Sequence, residues 1–219
     1  ASRNVGVRES RGAYVAILDA DDVWLPEKLE RQVAILEREE RAAMVCGASL
    51  YWRSWSGNPA DAERDDLCSL GVERDRLYEP QELFGLLYPL GGGGAPCPSN
   101  ILLRRSMLEA DGGFHEEFRG ELQLYEDQVF LVKLYLAHPV YISSECWDKY
   151  RIHPDSCMAR VHGSGRYGDV HGGADVAADR ERDDWSQQFE HGRRHGEPVE
   201  RDVHVRQLEH ATNGDRDGR

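Results

Sequence analysis

The chain has 219 residues, with 40 Asp and Glu against 27 Lys and Arg, and a formal net charge of −13. That balance excludes non-specific nucleic-acid binding, which rests on Lys and Arg neutralising phosphates, and no apolar run approaches the ~20 residues of a membrane-spanning helix. The five cysteines are odd in number, widely spaced and form no CxxC pair, so neither a disulfide framework nor a zinc site is expected, and a reducing cytoplasm fits best.

Ala1 to Gly12 reads as the end of an amphipathic helix closed by Gly12, as if the chain began inside a domain. Tyr14 to Leu18 is a short apolar run of the kind found in buried parallel strands. It ends in three carboxylates, Asp19, Asp21 and Asp22. Carboxylates placed this closely repel one another unless a cation or protons intervene. A hard divalent cation such as Mg2+ or Mn2+ suits such oxygen ligands and often bridges to substrate phosphates. The expected site is therefore a metal–phosphate site at the carboxyl end of a strand, where α/β sheets place ligands.

Pro26 to about Arg41 predicts a helix, with Leu29, Val33 and Leu36 on one face. Met44 to Trp52 reads as the next strand, and Ser54 to Arg76 as a long polar loop. Pro80 to Tyr88 predicts a short helix, and the four glycines Gly91 to Gly94 a plain linker. Asn100 to Arg104 reads as a strand, Ser106 to Ala110 as a short helix ended by Gly112 and Gly113, with Phe114 tucked into the core. Leu124 to Ala137 is apolar nearly all round and predicts a buried helix, with Glu126 and Asp127 at its N-terminal end, where the dipole favours anions. Two short strands, Val140 to Ile142 and Cys146 to Arg151, complete the folded part.

Beyond about Arg160 the composition turns to Gly, His, Arg and Asp, with Leu208 the single Leu. Such a segment buries little apolar surface, so residues 159–219 are expected to be a disordered tail. His191 and His195 have the spacing of a helical metal pair, but Gly192 and Gly196 oppose the helix that spacing requires.

Three chemistries compete for the acidic turn. An EF-hand loop fails because Trp24 stands where that loop needs Gly. The stretch VAILDADDV resembles the DxDxV motif of phosphohydrolases of the haloacid dehalogenase type, in which Asp19 would be the nucleophile and Asp21 the acid/base. More residues fit a third reading. RNVGVRESRGAYVAILDADDVWLPEKLERQV closely resembles the DxD region of family 2 inverting glycosyltransferases with the GT-A fold. PCPSNILLRRSMLEADGGF resembles that family's acceptor-side segment, YEDQVFLVKLYLA the helix carrying its acidic pair, and YRIHPDS its closing stretch.

This resemblance implies an α/β domain over residues 1–158, a GT-A sheet of Rossmann-like character with flanking helices. It also implies that the family's first strands should precede Ala1, so the domain is expected to be incomplete at its N-terminus and an inactive fragment is an alternative. By position, Asp21 would coordinate Mg2+ or Mn2+, and Asp19 would contact the donor or help hold the metal. Asp22 would support the turn, Arg3 and Asn4 would line the donor pocket, and His153 would reach the diphosphate. Asp127, with Glu126, would be the general base. The implied partners are a nucleotide-sugar donor and a saccharide or other hydroxyl acceptor. The implied location is cytoplasmic, including the inner face of a membrane through a peripheral association these residues do not encode.

Overall fold

The computed structural model describes residues 2–118, 125–156 and 159. The tail expected over residues 159–219 thus lies, apart from Ala159, outside the described residues, as do Cys157 and the expected helix start at Leu124.

Seven strands form one mixed sheet among the described residues: β1 (Tyr14–Ala16), β2 (Val23–Trp24), β3 (Met44–Trp52), β4 (Asp66–Cys68), β5 (Arg76–Tyr78), β6 (Leu102–Arg104) and β7 (Val140–Arg151). The main path runs β1-β6-β3-β7-β2, with β4 on the end of β3 and β5 on β7. The long central pair, β3 and β7, is parallel, and the other pairings are antiparallel. Helices α1 (Ser2–Glu9), α2 (Lys28–Arg38), the one-turn α3 (Pro59–Ala62), α4 (Arg105–Ala110) and α5 (Glu126–Ala137) flank it. The expected α/β sheet with flanking helices is what the chain forms.

The core has two parts. One gathers Val15, Ile17, Met44, Leu103, Phe130 and Leu134 around α5. The other sets Val33 and Leu36 of α2 against Val45, Leu102 and Trp147. Leu36, Met44, Val45, Leu102 and Leu103 are fully buried, as expected of a sheet covered on both faces. Phe114 stacks on Phe130 with ring centroids 4.3 Å apart, so it does enter the core.

Several expected elements change form. Val140 to Arg151 is one continuous strand, not two. It stays paired with β3 through register shifts around Ala48, which absorb the polar Ser143–Ser144 step. Pro80 to Tyr88 is a run of turns and not a helix: Gln81 has a φ of 76°, and its N–H bonds to the Tyr135 carbonyl at 2.7 Å instead of within a helix. The loop after β3 holds a 3-10 turn (Ser54–Ser56), α3 and β4. It is tied down by Asp65, whose carboxylate accepts from the Arg53 and Ser54 N–H groups and the Ser54 hydroxyl. The glycine run is built into the fold, since Gly93 N–H bonds to Leu86 O at 2.8 Å and Gly94 N–H to Leu70 O at 3.0 Å.

Candidate functional site

The apolar strand β1 delivers its chain end to the rim of the sheet, and there the acidic turn closes on itself. Asp22 N–H donates to the Asp19 carbonyl at 3.1 Å. The three carboxylates part from this turn in three directions.

Asp22 points inward and is buried. It accepts from the Ser99 hydroxyl at 2.6 Å and from Arg151 N–H at 3.0 Å. Burial pushes its carboxyl up to about 7, against those two hydrogen bonds and with help from neighbouring Asp19 and Asp21. Asp19 is half-buried and meets Arg3, whose Nη2 lies 3.3 Å from its Oδ1. Asp21 is exposed. Its Oδ2 sits 3.2 Å from His153 Nε2, and its backbone carbonyl accepts from Arg151 Nε at 2.8 Å.

Arg3 extends the cluster to α5. Its Nη1 lies 3.7 Å from Glu126 Oε2, and its guanidinium stands 5.7 Å from the Phe114 ring centre. Glu126 is buried, and its second oxygen, Oε1, has no hydrogen-bond partner. Asp127 follows, half-buried, accepting from the Gln128 N–H at 2.8 Å. Desolvation raises the Asp127 carboxyl, Arg3 opposes that rise, and Asp19 adds to it. The electrostatic reach of Arg3 and Asp19 to Asp127 places the start of α5 beside the end of β1.

Asp19, Arg3, Glu126 and Asp127 therefore form one group, and Asp21 and His153 a second on the outer side of the same turn. Asn4 belongs to neither. Its amide accepts from Phe114 N–H at 2.9 Å and donates to Phe114 O and Glu116, which fixes the segment after α4. Gly113 makes that approach possible: its φ is 71°, and a Cβ there would stand 2.8 Å from Asn4 Oδ1.

Two residues absent from the expected set touch the turn directly. Ser99 comes from the segment read as acceptor-side and lies under the acidic turn. Arg151 clasps that turn through both its backbone and its side chain, while Trp52 and Trp55 flank its guanidinium with ring centres 5.1 Å away. A positive charge closing a strand two residues before His153 was the available signal for Arg151.

Beneath the turn lies a buried polar cluster. Asn100 donates to Asp148 Oδ1 at 2.6 Å and to Ala48 O at 2.9 Å, and it accepts from Gly47 N–H at 2.6 Å. Ser49 also donates to Asp148 at 2.9 Å. Lys28, fully buried, bonds to Gln32 and faces the Trp24 ring at 4.9 Å. Burial lowers the Lys28 ammonium and raises the Asp148 carboxyl, each partly offset by the other's charge.

Among the described residues no group of three or more His, Cys, Asp and Glu is arranged to hold a metal ion, and no helix is long and apolar enough to cross a membrane. The four described cysteines are free thiols. Burial raises them all, Cys46 to about 12, which leaves them poor nucleophiles.

Residues 1–112 match the family described as "Glycosyl transferase family 2". An uncharacterized glycosyltransferase of Methanocaldococcus jannaschii is 57% identical over 37 residues, covering 17% of this chain and 13% of that protein. The putative glycosyltransferase EpsH of Bacillus subtilis is 28% identical over 162 residues, covering 73% of this chain and 43% of that protein. The crystal structure of S. aureus TarS 1-349 is similar with a TM-score of 0.43 and 18% identity, covering 68% of this chain and 39% of that one. The chain spans less than half the length of each of these proteins.

Proposed function

The chain belongs to glycosyl transferase family 2, and from that premise we propose that it moves a sugar, a hexose in the simplest case, from a nucleotide-diphosphate-sugar donor to a hydroxyl acceptor with inversion. Residues 1–158 would supply the transferase part. The reaction forms a bond between the acceptor oxygen and the anomeric carbon, breaks the bond from that carbon to the diphosphate, and delivers the acceptor proton to a base.

Asp127 is the base in this reading. A carboxyl raised by desolvation is a stronger proton acceptor than an exposed one, and the Gln128 N–H orients it. Arg3 keeps Asp127, Glu126 and Asp19 from repelling one another apart. Asp19 lies on the donor side, where Arg3 holds it, and Asn4 fixes the neighbouring wall. Asp21, exposed and half-engaged by His153, fits a Mg2+ or Mn2+ shared with substrate phosphates better than a closed protein cage, which is how Mg2+ is commonly held. When bound, such an ion offsets charge on the leaving diphosphate. His153, beside Asp21, would donate to the same group.

The observation that carries this reading is the bridge from Asp19 through Arg3 to the Glu126–Asp127 pair, which puts a candidate base beside the acidic turn. The test is calorimetric titration of the full chain with UDP, GDP, CDP and dTDP, each with and without Mn2+. Binding of one nucleotide that needs Mn2+ and is lost in Asp21→Ala is the expected result. Binding that ignores both the ion and Asp21 would overturn it.

A further inference from the structure

We propose that Ser99 is a positioning residue that holds the turn carrying Asp19 and Asp21 in its working shape. The proposal rests on the reading of that turn as the donor–metal site.

Ser99 is fully buried in a 3-10 turn (Pro98–Asn100) between the glycine run and β6. Its hydroxyl makes two bonds to the acidic turn at once. It accepts from the Asp19 N–H at 3.0 Å and donates to Asp22 Oδ2 at 2.6 Å. Both ends of the turn are thus fixed by one oxygen, while the Asp21 side chain, between them, meets His153, just beyond the end of β7, and among the described residues has no hydrogen bond to a strand. The Ser99 carbonyl accepts from Trp24 Nε1 at 2.8 Å, which ties β2, the strand that leaves the turn, to the same residue.

The anchor is itself rigid. Asn100, the next residue, is fully buried and bonded to β3 at Gly47 and Ala48 and to Asp148 of β7. One dipeptide therefore faces two ways: Asn100 grips the central parallel pair and Ser99 grips the acidic turn. A hydroxyl is required for this role because a single atom must accept from one group and donate to another. An apolar group of equal size would leave the Asp19 N–H and a buried carboxylate oxygen each short of a partner.

The test compares Ser99→Thr with Ser99→Val in the full chain. The two side chains have nearly the same volume, so any overpacking in this buried site is common to both, and only Thr keeps the hydroxyl. Two readouts are taken on protein shown to be folded. The first is hydrogen exchange at the Asp19 amide without metal: Thr should match the wild type and Val should exchange at least ~10-fold faster, the scale set by one lost buried hydrogen bond. The second is the affinity for Mn2+ in the presence of inorganic pyrophosphate, where Val should be weaker than Thr by about 10-fold on the same scale. Equal exchange in the two variants overturns the clamp. Faster exchange in Val with unchanged Mn2+ affinity reduces Ser99 to a structural residue and also overturns the proposal. If the wild type itself fails to bind Mn2+ with pyrophosphate, the metal reading falls, and the Asp19 exchange rates alone decide whether Ser99 shapes the turn.

Discussion

The guanidinium of Arg3 stands between Asp19 and Glu126, 3.3 Å from the first and 3.7 Å from the second. All three side chains are largely buried, so their charges are weakly screened. The end of β1 and the start of α5 are far apart in sequence and share one cation. Removing that cation should leave the carboxylates to repel one another across the site.

For Arg3→Gln the expected outcome is a further rise of the Asp127 carboxyl, because Arg3 is the main influence that holds it down against desolvation. The variant should also lose about 1–3 kcal/mol of stability, the cost of leaving a buried charged partner unsatisfied. Carbon-detected NMR titration of the Asp127 carboxyl and urea unfolding measure the two effects. A carboxyl that stays put would show that Arg3 does not reach the base, and the bridge would then carry no catalytic meaning.

Asp22 sets a pH dependence whose sign is opposite to that of an ordinary salt-bridged carboxylate. Its folded value, about 7, lies above its unfolded value of 3.8. The folded state therefore holds the proton more tightly, and the stability this confers is full below the unfolded value and is lost as pH rises through about 7. A shift of this size corresponds to about 4 kcal/mol at most, at ~1.4 kcal/mol per unit. Asn at this position can still accept from Arg151 N–H, and its amide N–H can turn the Ser99 bond round by donating to the hydroxyl oxygen, so Asp22→Asn should fold. In urea titrations of metal-free protein at pH 4 to 8, wild type should lose stability relative to Asp22→Asn as pH rises. A constant difference across that range would mean that Asp22 is charged throughout.

The sequence made β1, α2, β3 and α5 legible because local spacing alone dictates them. A period near 3.6 on α2 and an apolar run on β1 need no distant partner to be recognised. The candidate carboxylates were legible for the same reason, as a dense cluster after an apolar run. Residues whose roles depend on distant partners were not. Ser99 meets Asp19 and Asp22 across 80 and 77 positions, and nothing near Ser99 in sequence announces either bond. The two-residue β2 exists only because Val23 and Trp24 find Lys149 and Asp148, and so short a strand has no period to detect. Lys28 sits on a helix where a Lys ordinarily marks the solvated face, yet it is fully buried over Trp24 with Asp148 as its opposing charge.

The glycine run gives the sharpest contrast between a linker and a built turn, because two neighbouring glycines should respond differently to the same change. A Cβ on Gly92 meets nothing within 4 Å. A Cβ on Gly93 would stand 2.6 Å from Leu70 O, 2.8 Å from Leu87 Cδ2 and 2.9 Å from Leu86 O. Two of those atoms are backbone and cannot rotate away, and the Gly93 carbonyl accepts from Tyr88 N–H at 2.9 Å, so the segment cannot shift freely. Gly93→Ala should therefore cost about 1–3 kcal/mol, the range for forced overpacking. Gly92→Ala should stay within about 0.5 kcal/mol of wild type, as surface changes do. Urea midpoints of the two single variants decide the matter. Equal midpoints would return the run to the status of a linker. A selective loss in Gly93→Ala would show that it packs the Leu70 and Leu87 side of the core that backs α5.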